Sequence, residues 1–178
     1  MARPRPRIRA YFAISLDGMI ADEAGGIGWL APFEAIDVGF DEFLAQITTI
    51  AMGRRTYDQV LSFGEWPYEG KDVIVVTSRR LTGAPRGVRA FSGAPKALAR
   101  QLSGGDMWVL GGAALFNAML WAGHIERLEL FVIPIVLGRG LRLFQPTPES
   151  GTIDLKLRAT EQHPIGMVEI TYDVFRRE

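Results

Sequence analysis

Two adjacent glycines, Gly111 and Gly112, interrupt an apolar segment at residues 108–116. The residues before the glycines are typical of a buried strand, and the apolar spacing after them is typical of a helix beginning at Ala113. A strand, a glycine turn and a helix N-terminus form an anion site, because a phosphate can approach the bare backbone and the free N–H groups point at it. A glycine pair also serves any tight strand-to-helix turn, so this segment alone leaves both interpretations open.

A second segment of the same design lies at residues 52–57, where a short apolar strand stops at Gly53 and a helix follows. Arg54 and Arg55 bring two guanidinium groups to a helix N-terminus, where the dipole disfavours positive charge unless an anion lies between them. Thr56 can cap the helix or bind a phosphate through its hydroxyl. A pair of solvated arginines would give the same sequence, and that alternative also stays open.

A third segment, with Ser78, Arg79 and Arg80, directly follows a continuous apolar strand at residues 72–77. Ligands of open α/β sheets bind outside the carboxyl ends of the strands, which is the edge where all three segments lie. Arginine binds phosphate through a bidentate fork, so this edge suits a 2′-phosphate and favours NADPH over NADH. The fingerprint G-x-G-x-x-G is missing after the first strand, which excludes an ordinary Rossmann domain.

The composition is that of a globular protein, and the 178 residues predict one domain spanning 1–178. Lys+Arg and Asp+Glu both number 20, so the net charge points neither to nucleic acid nor to a membrane. The absence of cysteine excludes disulfides and thiolate chemistry and fits a cytoplasmic location. His124 and His163 have no partners at metal-ligand spacing, so we expect no metal site.

The periodicity predicts strands that alternate with helices over the first two thirds of the chain, and strands alone in the last third. We expect strands at residues 8–15, 49–52, 72–77, 88–91, 107–110, 128–133, 153–159 and 167–175. We expect helices at residues 54–61, 95–102 and after 112, ending near Gly123, with helical spacing across 33–47 and a loop at 16–29. The chain is therefore an α/β protein with a mainly parallel sheet and an antiparallel hairpin at its end.

Five segments resemble, in one order, those of the dihydrofolate reductase-like superfamily, and more closely the pyrimidine reductase domain of riboflavin biosynthesis and its stand-alone relatives. They lie at residues 13–21, 52–57, 78–79, 108–112 and 133–140. The resemblance implies a three-layer fold with an eight-stranded, mostly parallel central sheet, antiparallel C-terminal strand or strands, and helices on both faces. It also implies hydride transfer from NADPH to a pterin, a pyrimidinone or a related small heterocycle, in a homodimer that binds no nucleic acid.

The resemblance also implies roles for individual residues. Ala13 and Ile20 would line the nicotinamide pocket, and Gly53, Arg54, Arg55 and Thr56 would hold phosphates. Ser78 and Arg79 would lie near the 2′-phosphate. The pyrophosphate cradle would consist of Leu110, Gly111, Gly112, Ala113, Ala114 and Leu115, with a cis peptide between the two glycines. A flavin or deazaflavin cofactor, or a nucleotide-binding module without catalysis, remains the alternative.

Reduction of a C=N bond also needs a proton, for which Glu34 is the candidate donor. Phe33, Ala35 and Ile36 would desolvate its carboxyl and favour the neutral form. A surface glutamate near a helix N-terminus is the alternative, because negative charge is favoured there in any case. We expect Asp17 to serve a turn rather than catalysis.

A polar, phosphate-bearing substrate of the riboflavin type would call for a further basic residue on the substrate side of the site. Arg139, between two glycines, could fill this role, although a hairpin-like turn explains it equally well.

Overall fold

Ten strands and four helices make up the computed structural model, which describes residues 5–176. The strands are β1 Ile8–Ser15, β2 Met19–Ala21, β3 Ile47–Gly53, β4 Asp72–Val76, β5 Val88–Phe91, β6 Asp106–Gly111, β7 Arg127–Ile133, β8 Leu141–Arg142, β9 Ile153–Gln162 and β10 Val168–Arg176. The helices are α1 Phe40–Gln46, α2 Arg54–Ser62, α3 Pro95–Ala99 and α4 Ala113–Trp121. Two 3-10 turns lie at Gly28–Phe33 and Pro164–Gly166.

Eight of the strands form one sheet in the order β5-β4-β3-β6-β1-β7-β10-β9. The neighbours from β5 to β7 all pair in parallel, whereas β10 runs antiparallel to both β7 and β9. The predicted eight-stranded, mostly parallel sheet is therefore confirmed, and its single reversed strand is the last one. The remaining two strands, β2 and β8, pair with each other in a small second sheet.

Helices cover both faces of the large sheet, as the alternation in β1 requires. Phe12 points to the side of Phe116 on α4, and the two rings meet edge to face at 5.1 Å. Its neighbour Tyr11 points to the opposite side, where its ring centroid lies 4.3 Å from that of Phe43 on α1. Strand β3 is apolar without alternation from Ile50 to Met52, because both of its faces are buried between these layers there.

The predicted helical segment at residues 33–47 was wrong in extent. The structure has a 3-10 turn, then Gly39 in the left-handed conformation at φ 67°, and only then the short helix α1. Phe33 and Ile36 still pack against the sheet, beside Phe131 and Met167, so their apolar spacing reflects a common buried side rather than one continuous helix.

The predicted loop at residues 16–29 contains β2, which was missed. A three-residue strand carries too little periodicity to be recognised, and its partner β8 lies far along the chain. The end of α4 was predicted correctly: Gly123, at φ 76°, donates its N–H to the Leu120 carbonyl, and His124 donates to Met119. This pair of bonds is a Schellman motif.

Candidate functional site

A cleft of about 1990 Å³ opens at the carboxyl edge of the large sheet. The chain leaves the neighbouring strands β3 and β6 in opposite directions: α2 leads from β3 to β4, and α4 leads from β6 to β7 on the other side. Ligands of open α/β sheets bind where consecutive connections diverge in this way. The topology therefore places a binding site between the start of α2 and the start of α4.

The two helix N-termini meet at this point through their glycines. A Cβ atom built on Gly53 would stand 3.7 Å from the backbone nitrogen of Gly112, and one built on Gly112 would stand 3.3 Å from Oγ1 of Thr56. Neither helix has a side chain that caps its first N–H groups. Two uncapped helix ends separated only by glycine backbone form a strong candidate site for an anionic group.

The peptide bond between Gly111 and Gly112 is cis, as the resemblance implied. Gly111 also has a φ of 132°, and a Cβ there would stand 3.3 Å from the ring of Phe12. This turn therefore requires glycine for both its backbone conformation and its packing.

The two arginines of α2 differ in their surroundings. Arg54 donates from Nε to both carboxylate oxygens of Asp58, at 2.8 and 3.0 Å. Arg55 is exposed on the cleft wall, and no other described residue lies within hydrogen-bonding or ion-pairing distance of its guanidinium. Asp58 is therefore the negatively charged partner of Arg54 at this helix end. Arg55 has no such partner and is free to bind a ligand.

Most of the predicted site residues lie together in the cleft wall. These are Ala13, Ile20, Glu34, Gly53, Arg54, Arg55, Thr56, Leu110, Gly112, Ala113, Ala114 and Leu115. Three others do not line the cleft: Gly111 lies behind it, and Ser78 and Arg79 are exposed beyond the end of β4. There the backbone N–H of Arg79 donates to Oγ1 of Thr77 at 3.0 Å.

Glu34 lies at the rim of the cleft, at the end of the first 3-10 turn, and its side chain is exposed. The expectation that Phe33, Ala35 and Ile36 desolvate its carboxyl is therefore wrong. Ala35 is itself exposed, and Phe33 and Ile36 pack against the sheet instead. The position of Glu34 allows contact with a ligand.

Part of the cleft wall is aromatic, a feature that the sequence did not indicate. It contains Tyr11, Phe40, Tyr68 and Trp108, which come from β1, α1, a loop and β6. Trp108 is central, with ring centroids of Tyr11, Phe40 and Tyr68 at 6.1, 5.8 and 5.9 Å. Burial raises the pKa of Tyr68 to about 12, and burial together with nearby carboxylates raises that of Tyr11 further, so both phenols stay protonated.

Asp17 has the structural role that was expected. It accepts hydrogen bonds from Ser15 Oγ at 2.6 Å and from the backbone N–H groups of Leu137 and Gly138 at 3.1 and 2.8 Å. These bonds hold the pKa of its carboxyl down at about 2. The carboxylate joins the turn after β1 to the loop after β7. Arg139 in that loop is exposed and does not line the cleft, so the expected basic residue is not found there.

His163 does have partners, contrary to the argument from spacing. Glu169 is paired across the hairpin with Glu161, and ligand atoms of these two residues and His163 all lie within 4.8 Å of one another. His163 Nε2 lies 3.1 Å from Glu169 Oε2. Strand pairing brings together residues that are separated in sequence, which spacing along the chain could not reveal.

Comparison with known proteins places the chain among reductase-like sequences. A sequence profile of the RibD C-terminal domain matches residues 91–168. The protein YwjB of Bacillus subtilis (strain 168) is 36% identical over 161 residues, covering 85% of this chain and 89% of its own. The chain belongs to the RibD C-terminal domain family. YyaP of the same organism is also similar, with 29% identity over 180 residues, 93% of this chain and 94% of its own.

Solved structures share the fold over nearly the whole chain. A protein of Shewanella sp. PV-4 assigned to riboflavin biosynthesis superposes with a TM-score of 0.84 and 27% identity, covering 96% of this chain and 99% of its own. The Thermotoga maritima diaminohydroxyphosphoribosylaminopyrimidine deaminase/5-amino-6-(5-phosphoribosylamino)uracil reductase gives a TM-score of 0.70 at 18% identity, and 95% of this chain covers 56% of that one. In this chain, no helix within residues 5–176 is long and apolar enough to cross a membrane.

Proposed function

We propose that the protein is an NADPH-dependent reductase that transfers a hydride to a small heterocycle of the pterin or pyrimidinone class. The observation that carries the proposal is the meeting of two uncapped helix N-termini, at Gly53 and Gly112, beside the unpartnered guanidinium of Arg55. Membership of a family that includes reductase domains supports this reading of the cleft.

The residues present fit a dinucleotide phosphate. Backbone N–H groups of Ala113, Ala114 and Leu115 at the start of α4 would bind the pyrophosphate, and Thr56 would bind it from the start of α2. The free guanidinium of Arg55 would then bind the additional 2′-phosphate. Ala13 and Ile20, on the other side of the cleft, would flank the nicotinamide. When bound, NADPH supplies the hydride, and the protein holds the substrate against it and limits access of water.

Glu34 is the group in the aromatic half of the cleft that can exchange a proton with a bound heterocycle. Because its carboxyl is exposed, it can be reprotonated from solvent after each turnover. In single-turnover mixing of the protein–NADPH complex with substrate, Glu34→Gln should slow the loss of NADPH absorbance by about 100-fold, the lower range for general acid catalysis. An unchanged rate would assign the proton to water.

The proposal is tested by titrating the purified protein with NADPH and, separately, with NADH while nucleotide fluorescence is recorded. We expect saturable binding of NADPH and much weaker binding of NADH, because arginine recognises the additional phosphate. Equal affinity for NADPH and NADH would mean that the protein does not recognise the 2′-phosphate. Binding of neither would refute NADPH as the cofactor, and the same titration with a flavin or deazaflavin would then follow.

The exposure of Glu34 also fits a second function, that of a nucleotide-binding module without catalysis. Such a module would bind NADPH yet leave it unoxidised with every pterin and pyrimidinone offered. If the wild-type protein oxidises NADPH with any of these compounds, and Glu34→Gln or Arg55→Ala loses this activity, the protein is a reductase.

A further inference from the structure

The charged residues of the cleft are divided unevenly. Within the described part of the chain, the only cations that line it are Arg54 and Arg55, and both belong to the first turn of α2. The other charged residues of the lining are acidic: Asp22, Glu23 and Glu34. The positive charge of the cleft is therefore concentrated at the end that we assign to the nucleotide.

The other half of the cleft is apolar and aromatic. Phe40, Tyr68 and Trp108 present rings to one another at near-perpendicular angles, 72° between Phe40 and Trp108 and 90° between Tyr68 and Trp108. Val38 packs in the same cluster as Tyr11 and also lines the cleft. Such walls suit a flat ring, which gains contact area and favourable edge-to-face geometry against them.

Two polar atoms in this aromatic wall have no partner. Tyr11 Oη and Trp108 Nε1 are shielded from water and make no hydrogen bond within residues 5–176. Trp108 is 6% exposed. Trp29 Nε1, Tyr57 Oη and Trp66 Nε1 are in the same state and do not line the cleft, so the recognition of a ligand rests on the shape and charge of this wall rather than on these atoms.

We propose that the substrate is a planar, uncharged heterocycle that carries no phosphate group. This inference rests on the proposed function and narrows its substrate class. A phosphate on the substrate would find no guanidinium or ammonium group among the aromatic residues of the cleft lining, and a charge that loses its water without gaining a partner weakens binding. The chain would then differ in preference from the Thermotoga maritima enzyme, whose name specifies a phosphoribosylamino substrate.

A matched pair of compounds tests the inference: 5-amino-6-(ribosylamino)uracil and its 5′-phosphate. Each is titrated calorimetrically into the wild-type protein, alone and saturated with NADP⁺. We expect the unphosphorylated compound to bind at least about 10-fold more tightly, the effect of roughly one unfavourable charge contact. Equal affinity, tighter binding of the phosphate, or binding of neither compound would overturn the inference.

Binding of NADP⁺ alone is measured first in the same calorimeter. This measurement distinguishes a failure of the proposed nucleotide site from a failure of the proposed substrate class. Absence of NADP⁺ binding would reject the nucleotide site, whereas NADP⁺ binding without a preference between the two compounds would reject only the substrate class.

A charge introduced into the aromatic half gives a second test. Val38→Arg should reduce the preference for the unphosphorylated compound by about 10-fold, because it supplies the missing cation. Val136→Arg, the same change at a residue that is 67% exposed and outside the cleft, is the matched control and should leave the preference unchanged. An unaltered preference in a folded Val38→Arg would contradict the charge argument.

Discussion

Arg55→Ala isolates the contribution of one free guanidinium to nucleotide affinity. Its side chain is exposed on the cleft wall and has no partner within the described residues, so its removal breaks no ion pair of the protein. Arg54, one residue earlier on the same helix, is instead held by Asp58 through two hydrogen bonds. The two neighbours therefore provide a matched pair with different expected effects.

The size of the effect follows from the type of contact. A hydrogen bond to a charged group contributes about 1.5–3 kcal/mol, and the exposure of Arg55 places it near the lower limit. Since about 1.4 kcal/mol corresponds to a tenfold change in Kd, Arg55→Ala should weaken NADPH binding by roughly 10-fold. Arg54→Ala should weaken it by less than about threefold, because that guanidinium already has a partner.

The assay is a fluorescence titration with NADPH at two ionic strengths, with Arg86→Ala as the control for loss of an exposed arginine outside the cleft. The penalty of Arg55→Ala should shrink at higher salt, because screening weakens an exposed charge contact. An affinity for NADPH in Arg55→Ala within about twofold of wild type would refute the reasoning. Equal losses in Arg54→Ala and Arg55→Ala would show that the Asp58 pair does not restrain Arg54.

Three further predictions test other parts of the structure. Gly112→Ala should weaken NADPH binding by about 10-fold in the same titration, since its Cβ would stand 3.3 Å from Thr56 Oγ1, whereas Gly53→Ala, with no atom closer than 3.7 Å, should have a smaller effect. Asn117→Ala should lower the free energy of unfolding in urea by about 2–3 kcal/mol, because its buried amide makes three hydrogen bonds; a loss below about 1 kcal/mol would contradict this. Asp17→Asn should lower the melting temperature at neutral pH. The pKa of Asp17 is about 2 in the folded protein and lower than in the unfolded chain, so its carboxylate stabilises the fold only while it is ionised. The difference in melting temperature between Asp17→Asn and wild type should therefore disappear as the pH falls from about 4 to about 2. A deficit that is constant over that range would mean that the charge of Asp17 contributes nothing.

The elements of the large sheet could be predicted because each is determined by a local pattern. The runs in β3 and β4 are apolar on both faces, and the glycine turns at Gly53 and Gly111 mark the points where strands end and helices begin. The two helix N-termini at the cleft could be predicted for the same reason, since each needs only a strand, a glycine and a helix in succession. Their role as a phosphate cradle stays a prediction.

Features created by contacts between distant segments could not be predicted in this way. The exposure of Glu34 depends on how the first 3-10 turn packs, not on its sequence neighbours. The cluster of Glu161, His163 and Glu169 forms only because β10 pairs with β9.

The division of the cleft follows from this difference between local and long-range determinants. The end that we assign to the nucleotide is built from backbone at the strand-to-helix turns of two neighbouring strands, a construction that tolerates many side chains elsewhere. Its other end is built from side chains that converge from β1, α1, a loop and β6, so a change in any one of them alters which ring fits. Two chains of this fold can therefore share a nucleotide site and differ in the rest of the cleft. If the protein is the reductase that we propose, its aromatic residues and the placement of its cations, rather than the glycine turns, would determine its substrate.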